Sequence, residues 1–125
     1  MIIGLGIDVV KISRIERAVQ RFDKRFLYRV YCSKEIEHCM KKKNPYPSLA
    51  GRFAVKEAFV KAIGTGFRNG IRLKQICTLN DKLGAPVVKL LDQAERYFFE
   101  RGCKEIFVSI SHEKDVAVAV VILGG

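Results

Sequence analysis

The chain has 125 residues, a length suited to a single domain spanning residues 1–125. Hydrophobic residues make up 49% of it, which excludes a disordered polymer, and its apolar runs fall short of the ~18 residues that a membrane span needs. The formal net charge of +10 favours an anionic partner, whether nucleic acid, anionic lipid or an acidic protein.

In chain order, residues 2 to 9 (IIGLGIDV) form an apolar run broken by Gly4 and Gly6. Glycines in a strand mark close approach of another backbone or of a ligand. Asp8 lies near the strand's end. A buried aspartate needs a partner, and two readings stay open: a cap for the next helix, or a ligand to a cation. The opening MIIGLGIDVV lacks the basic start and small-residue cleavage site of a signal peptide, so mature structure is expected there.

Ile12, Ile15, Val19 and Phe22 recur at helical spacing, with Arg14, Arg17 and Arg21 on the other faces. A short helix is expected over residues 25 to 31. Between Lys11 and Lys43 there are eleven basic residues against four acidic ones, so the charge is concentrated here. Ser33 is expected to cap a third helix, and Ser48, after the break at Asn44-Pro45, a fourth.

That fourth helix carries RFAVKEAFVKAIGTG, residues 52 to 66. Its apolar surface calls for burial, yet Glu57 and Lys61 stand one turn apart. Either the two neutralise each other or they face a charged ligand. The Gly64-Thr65-Gly66 that follows suits an anion, because glycine lets amides approach and threonine adds a hydroxyl donor. The P-loop spacing is absent.

Beyond it, Asn69-Gly70 is expected in a loop, residues 76 to 79 in a strand, Asp81 to Gly84 in a turn and residues 86 to 88 in extended structure. Residues 92 to 101 read as a helix stopped by Gly102. Ile106, Val108 and Ile110 alternate at strand period, His112 to Asp115 turns the chain, and Val116 to Leu123 returns as an antiparallel partner. Ser111-His112 offers a weak nucleophile pair, since neighbours on a strand point to opposite faces. Segregated helices and hairpins give an α+β class, with helices packed on a small antiparallel sheet.

Cys32, Cys39, Cys77 and Cys103 form no C-x-x-C pair, and with only two histidines zinc spacing is absent. Free thiols in a reducing cytosol are expected. Asp8 and Glu57 together would suit magnesium, and Lys61 with the Gly-Thr-Gly loop would suit phosphates.

The stretches GLGIDVV, FAVKEAFVKAIGTG and VSISHEKDVAVAVV, with RIERAVQRFDKRFLYRVYCSKE and NDKLGAPVV between them, resemble the small 4′-phosphopantetheinyl transferases of the holo-[acyl-carrier-protein] synthase family. The resemblance implies magnesium-dependent transfer of 4′-phosphopantetheine from coenzyme A, the donor substrate, to a serine of apo acyl carrier protein, with release of adenosine 3′,5′-bisphosphate. It implies magnesium ligation by Asp8 and Glu57 and charge stabilisation by Lys61, which form the catalytic set. Arg52, Lys61, Gly64, Thr65 and His112 would bind the nucleotide and phosphates of coenzyme A. Arg14, Arg21, Arg25 and Phe26 would dock the acidic carrier. It further implies a homotrimer with sites at subunit boundaries, a cytoplasmic place in fatty acid and lipid biosynthesis, and no nucleic-acid or membrane partner. The alternatives are a basic nucleic-acid-binding domain and a non-catalytic coenzyme A-binding module.

Overall fold

A computed structural model describes every residue except Asn69, so the loop expected at Asn69-Gly70 lies partly outside the described residues. Among the described residues, five strands and five α-helices follow the chain as β1 (Ile2–Lys11), α1 (Ile12–Phe22), α2 (Lys24–Val30), α3 (Ser33–Met40), α4 (Tyr46–Ile63), β2 (Ile76–Asn80), β3 (Pro86–Leu90), α5 (Asp92–Glu100), β4 (Glu105–His112) and β5 (Val116–Gly124). A short 3₁₀ turn, Leu73–Gln75, leads into β2. The α+β expectation holds, but the strands form two sheets: an antiparallel β1-β5-β4 sheet and a β2-β3 hairpin.

α4 is the centre of the molecule. Its apolar residues are distributed all round it, and Leu49, Ala50, Ala54, Val55, Ala58 and Phe59 are fully buried. A helix apolar on every side must be covered on every side. One covering is β1, whose glycines make the contact. A Cβ on Gly6 would collide with the carbonyl oxygen of Ala58, and one on Gly4 with that of Ala62. The approach forecast at these glycines is therefore that of a backbone, with alanines on the helix side completing a close strand–helix seam.

β5 lies between β1 and β4, pairing Asp8 with Ala119 and His112 with Ala117. Ala117, Ala119, Val121 and Leu123 point into the core and are fully buried. The opposite face is apolar too. On β1, Leu5, Ile7 and Val9 are 63%, 55% and 59% exposed, and Phe107 of β4 is 55% exposed.

Three local expectations require correction. Cys32, one residue before Ser33, is the N-cap of α3, and its N–H donates to Glu35 Oε1 at 3.0 Å. The acid in the first turn therefore fixes the start of the helix, and Ser33 is already helical. α4 begins at Tyr46 after Pro45, so Ser48 is not its cap. Its hydroxyl instead accepts from Arg52 Nη1 at 2.9 Å. Finally, Cys32 and Cys77 form a disulfide, whereas only Cys39 and Cys103 are free and both are buried. The partners are 45 residues apart, and packing of α3 on β2 brings them together.

Candidate active site

β1 brings Asp8 beside the C-terminal half of α4. Lys61 Nζ donates to Asp8 Oδ1 and to the Ile7 carbonyl oxygen, both at 3.0 Å. This removes one of the two readings left open for each site by the sequence. Asp8 does not cap α1: the N-cap is Lys11, and the first amide, Ile12 N, donates to Asp115 O at 2.9 Å. Nor do Glu57 and Lys61 neutralise each other through an ion pair; among the described residues, the ion-pair partner of Lys61 is Asp8.

Glu57 is half-buried on α4. Burial, and after it the charge of Asp8, raises its carboxyl above the ordinary range, while Arg14 and Lys61 pull in the other direction. Two carboxylates held near each other in partly dry surroundings repel, and a cation between them relieves that repulsion. α4 ends at Gly64, whose φ of 84° is left-handed and favours glycine. Thr65 follows, its hydroxyl donating to Gly66 O at 2.9 Å.

A second polar centre lies toward the N-terminal end of α4. Arg52 is only 5% exposed. Its Nη1 donates to Ser48 Oγ, its Nη2 donates to Asn80 Oδ1 at 2.6 Å, and its buried Nε has no partner among the described residues. Both of these acceptors are neutral, so among the described residues they form no ion pair with the guanidinium. Arg52 lines a cleft of about 230 Å³ with His38, Lys42, Asn80, Gly84 and His112. A cleft with this much positive charge suits an anion. Ser111 and His112 share no hydrogen bond, which ends the nucleophile-pair reading.

Arg52 and Lys61 are nine residues apart on one helix, about 14 Å along its axis. One chain thus joins Asp8, Glu57 and Lys61 near Gly64 and Thr65, and separately joins Arg52 with His112.

On α1 and α2, Arg14 lies over the Phe53 ring at 5.4 Å, and Arg21 and Arg25 flank Phe22 at 5.2 and 5.9 Å. Phe22, Arg25, Phe26 and Phe53 line a groove of about 300 Å³. The four residues singled out for carrier docking thus share one basic, aromatic surface, which extends through Arg14 toward Glu57.

Sequence reasoning missed the buried Lys56–Glu35 pair, at 2.7 Å, and the Asn80–Arg52 contact. Neither has a local signal, because their partners are 21 and 28 residues apart.

A family model described as the 4′-phosphopantetheinyl transferase superfamily matches residues 4–121. Among curated proteins, the chain is 46% identical over 122 residues to a holo-[acyl-carrier-protein] synthase of Halothermothrix orenii, covering 98% of this chain and 97% of that one. It is 47% identical to one of Treponema denticola, with both chains fully covered. Among solved structures, it is similar to the holo-[acyl-carrier-protein] synthase of Neisseria meningitidis, with a TM-score of 0.92, 34% identity and full coverage of both chains. That of Helicobacter pylori, solved in complex with coenzyme A, gives a TM-score of 0.84 at 34% identity, covering 96% of this chain and 99% of that one.

Proposed function

The chain belongs to the 4′-phosphopantetheinyl transferase superfamily as a holo-[acyl-carrier-protein] synthase, an enzyme of coenzyme A-dependent phosphopantetheinyl transfer, and on that premise we propose how its residues divide the reaction. The observation that carries the reading is the meeting of Asp8, Glu57 and Lys61 at the seam of β1 and α4. Asp8 and Glu57 would hold magnesium, and the raised carboxyl of Glu57 fits a pair of acids that a cation relieves. When bound, the metal supplies Lewis-acid polarisation of phosphate oxygens.

Lys61 stabilises the charge that shifts as a serine oxygen of the carrier bonds to phosphorus and the pyrophosphate P–O bond breaks. Adenosine 3′,5′-bisphosphate leaves, and the serine proton passes to water or to Glu57. The carrier supplies the nucleophile, so this chain needs none, and most of its contribution is positioning. Gly64 and Thr65 hold phosphate oxygens beside Lys61. Arg52 and His112 hold the nucleotide end, in a cleft where the Arg52 guanidinium has only neutral hydrogen-bond acceptors among the described residues. Arg14, Arg21, Arg25 and Phe26 dock the acidic carrier.

The two polar centres belong to one reaction when chains associate. A neighbour packed on the apolar outer face of β1, β5 and β4 brings its own α4 alongside, so that each site joins the Arg52 centre of one chain to the Asp8 centre of another. This is the homotrimer of the proposal, acting in the cytoplasm in fatty acid biosynthesis. The test is intact-protein mass spectrometry of apo acyl carrier protein incubated with this chain, coenzyme A and magnesium. A gain of one phosphopantetheine is expected, lost with Asp8→Ala and with Glu57→Ala. Full transfer by both variants would overturn the assignment of the carboxylates.

A further inference from the structure

The Arg52 cleft has two walls joined by a covalent bond. One wall is α3, which contributes His38 to the lining and whose Cys39 Sγ lies 3.2 Å from Ser48 Oγ, the acceptor for Arg52. The other is β2, which ends in Asn80, the second acceptor for Arg52. The Cys32–Cys77 disulfide ties the cap of α3 to β2. Glu35 spans the same two segments, with Oε1 accepting from Cys32 N and Oε2 from Thr78 N, each at 3.0 Å.

We propose that Cys32 and Cys77 are a reversible dithiol–disulfide site whose oxidation state sets the affinity of the Arg52 cleft for the nucleotide end of coenzyme A. The proposal rests on the reading of that cleft given above. The disulfide fixes the spacing of the walls, so Asn80, the Arg52 acceptor carried by β2, is in place before the ligand arrives. Reduction removes this constraint while Glu35 keeps the segments together, so the fold survives but the cleft must be ordered on binding.

The chemistry is thiol–disulfide exchange with a dithiol reductant. Cys32 is half-buried and Cys77 buried, so attack falls on Cys32 Sγ. A reductant thiolate bonds to it, the S–S bond breaks, and Cys77 leaves as a thiolate that takes up a proton. The second reductant thiol displaces Cys32 from the mixed disulfide, and Cys32 is protonated in turn. The reductant gives two electrons and two protons and leaves as a disulfide. The other two cysteines are poorly placed to compete, because burial raises the thiol pKa of both Cys39 and Cys103.

The test uses the whole protein equilibrated in oxidised glutathione or in dithiothreitol. After denaturing alkylation, intact mass is expected to show two adducts on the oxidised form and four on the reduced form. Four on both overturns the pairing. Calorimetry is expected to show coenzyme A binding about 3- to 10-fold more weakly to the reduced form, the loss of a preorganised site. Cys32→Ser/Cys77→Ser should match the reduced protein and ignore reductant; if that variant does not fold, the two states of the unaltered chain still decide the matter. Equal affinities in both states overturn the proposal. Arg52→Met separates it from the underlying reading. Weaker binding in Arg52→Met without any redox effect in the parent overturns the redox site alone, whereas unchanged binding in Arg52→Met overturns the reading of the cleft.

Discussion

Lys56 Nζ lies 2.7 Å from Glu35 Oε1, and both side chains are wholly withdrawn from solvent. The ammonium has three donors and uses all of them, since the carbonyl oxygens of Leu73 and Ile76 accept the other two. Burial lowers the Lys56 pKa, and the adjacent Glu35 opposes that shift. Breaking such a pair leaves an unmatched buried charge. Lys56→Met is expected to cost about 3–5 kcal/mol, read from urea unfolding. Glu35→Leu/Lys56→Met removes both charges, yet the Cys32 and Thr78 amides still lose their acceptor, at about 1–3 kcal/mol for each buried group left unpaired. The double variant should therefore remain less stable than the parent chain. A single-variant loss under about 1 kcal/mol, typical of exposed pairs, would contradict the burial.

Gly6→Ala is expected to damage both stability and turnover. The new Cβ meets the Ala58 carbonyl oxygen, part of a helical backbone that cannot step aside. Overpacking of this kind costs about 1–3 kcal/mol. Any retreat of β1 carries Asp8 away from Lys61, so activity should fall even where the chain remains folded. Parent-like melting and turnover would show that the seam is looser than its geometry.

Glu57 provides a check in the metal-free protein. Its carboxyl is raised first by burial and then by Asp8, so the folded state holds this proton more tightly than the unfolded state does. The resulting stability is fully present below the unfolded value and is lost as pH rises through the folded value. Asp8→Asn removes the second cause. The carboxyl resonance of Glu57 should then titrate lower, closer to an ordinary glutamate. An unmoved titration would mean that Asp8 exerts no field there.

Local pattern carried most of the fold. The 3.6 spacing of Ile12, Ile15 and Val19 and the alternation of Ile106, Val108 and Ile110 each became the expected element, because one-sided burial imposes its period on sequence. The helix cap moved by one residue, since Glu35 rather than a hydroxyl satisfies the Cys32 amide. What stayed hidden was tertiary. Lys56 and Lys61 look alike in a sequence of alternating charge and apolar residues, yet one is buried and the other is 53% exposed at its side chain. The i, i+4 spacing suggested Glu57 as the mate of Lys61, but β1 supplies Asp8 from 53 residues away. The disulfide escaped because C-x-x-C spacing cannot detect a pair made by packing.

The outer sheet face gives a prediction about assembly. Ile7 is 55% exposed between Leu5 and Val9, on the apolar surface assigned above to a neighbouring chain. Ile7→Glu places a charge there without touching the core. A smaller sedimenting species is expected, with native circular dichroism and with turnover lost, because in the proposed trimer each site draws its second half from a neighbour. Unchanged sedimentation would count against association through this face.

Arg14 stands between two roles. Its guanidinium covers Phe53 at 5.4 Å on the surface proposed for docking, and its charge lowers the Glu57 pKa. Arg14→Glu should therefore raise the KM for carrier protein, by about 10-fold at low salt, through loss of steering and of an attractive contact. It should leave the Kd of coenzyme A unchanged. Part of any kcat loss would come through Glu57, whose proton is held more tightly once the nearby cation becomes an anion. Arg21→Glu isolates the docking role, because Arg21 lies against Phe22 and is not among the charges acting on Glu57. That variant should raise the carrier KM with kcat intact, and added salt should shrink the difference from the parent, since screening weakens attraction and repulsion alike. Carrier kinetics unaltered at low salt in both variants would remove α1 from the docking surface.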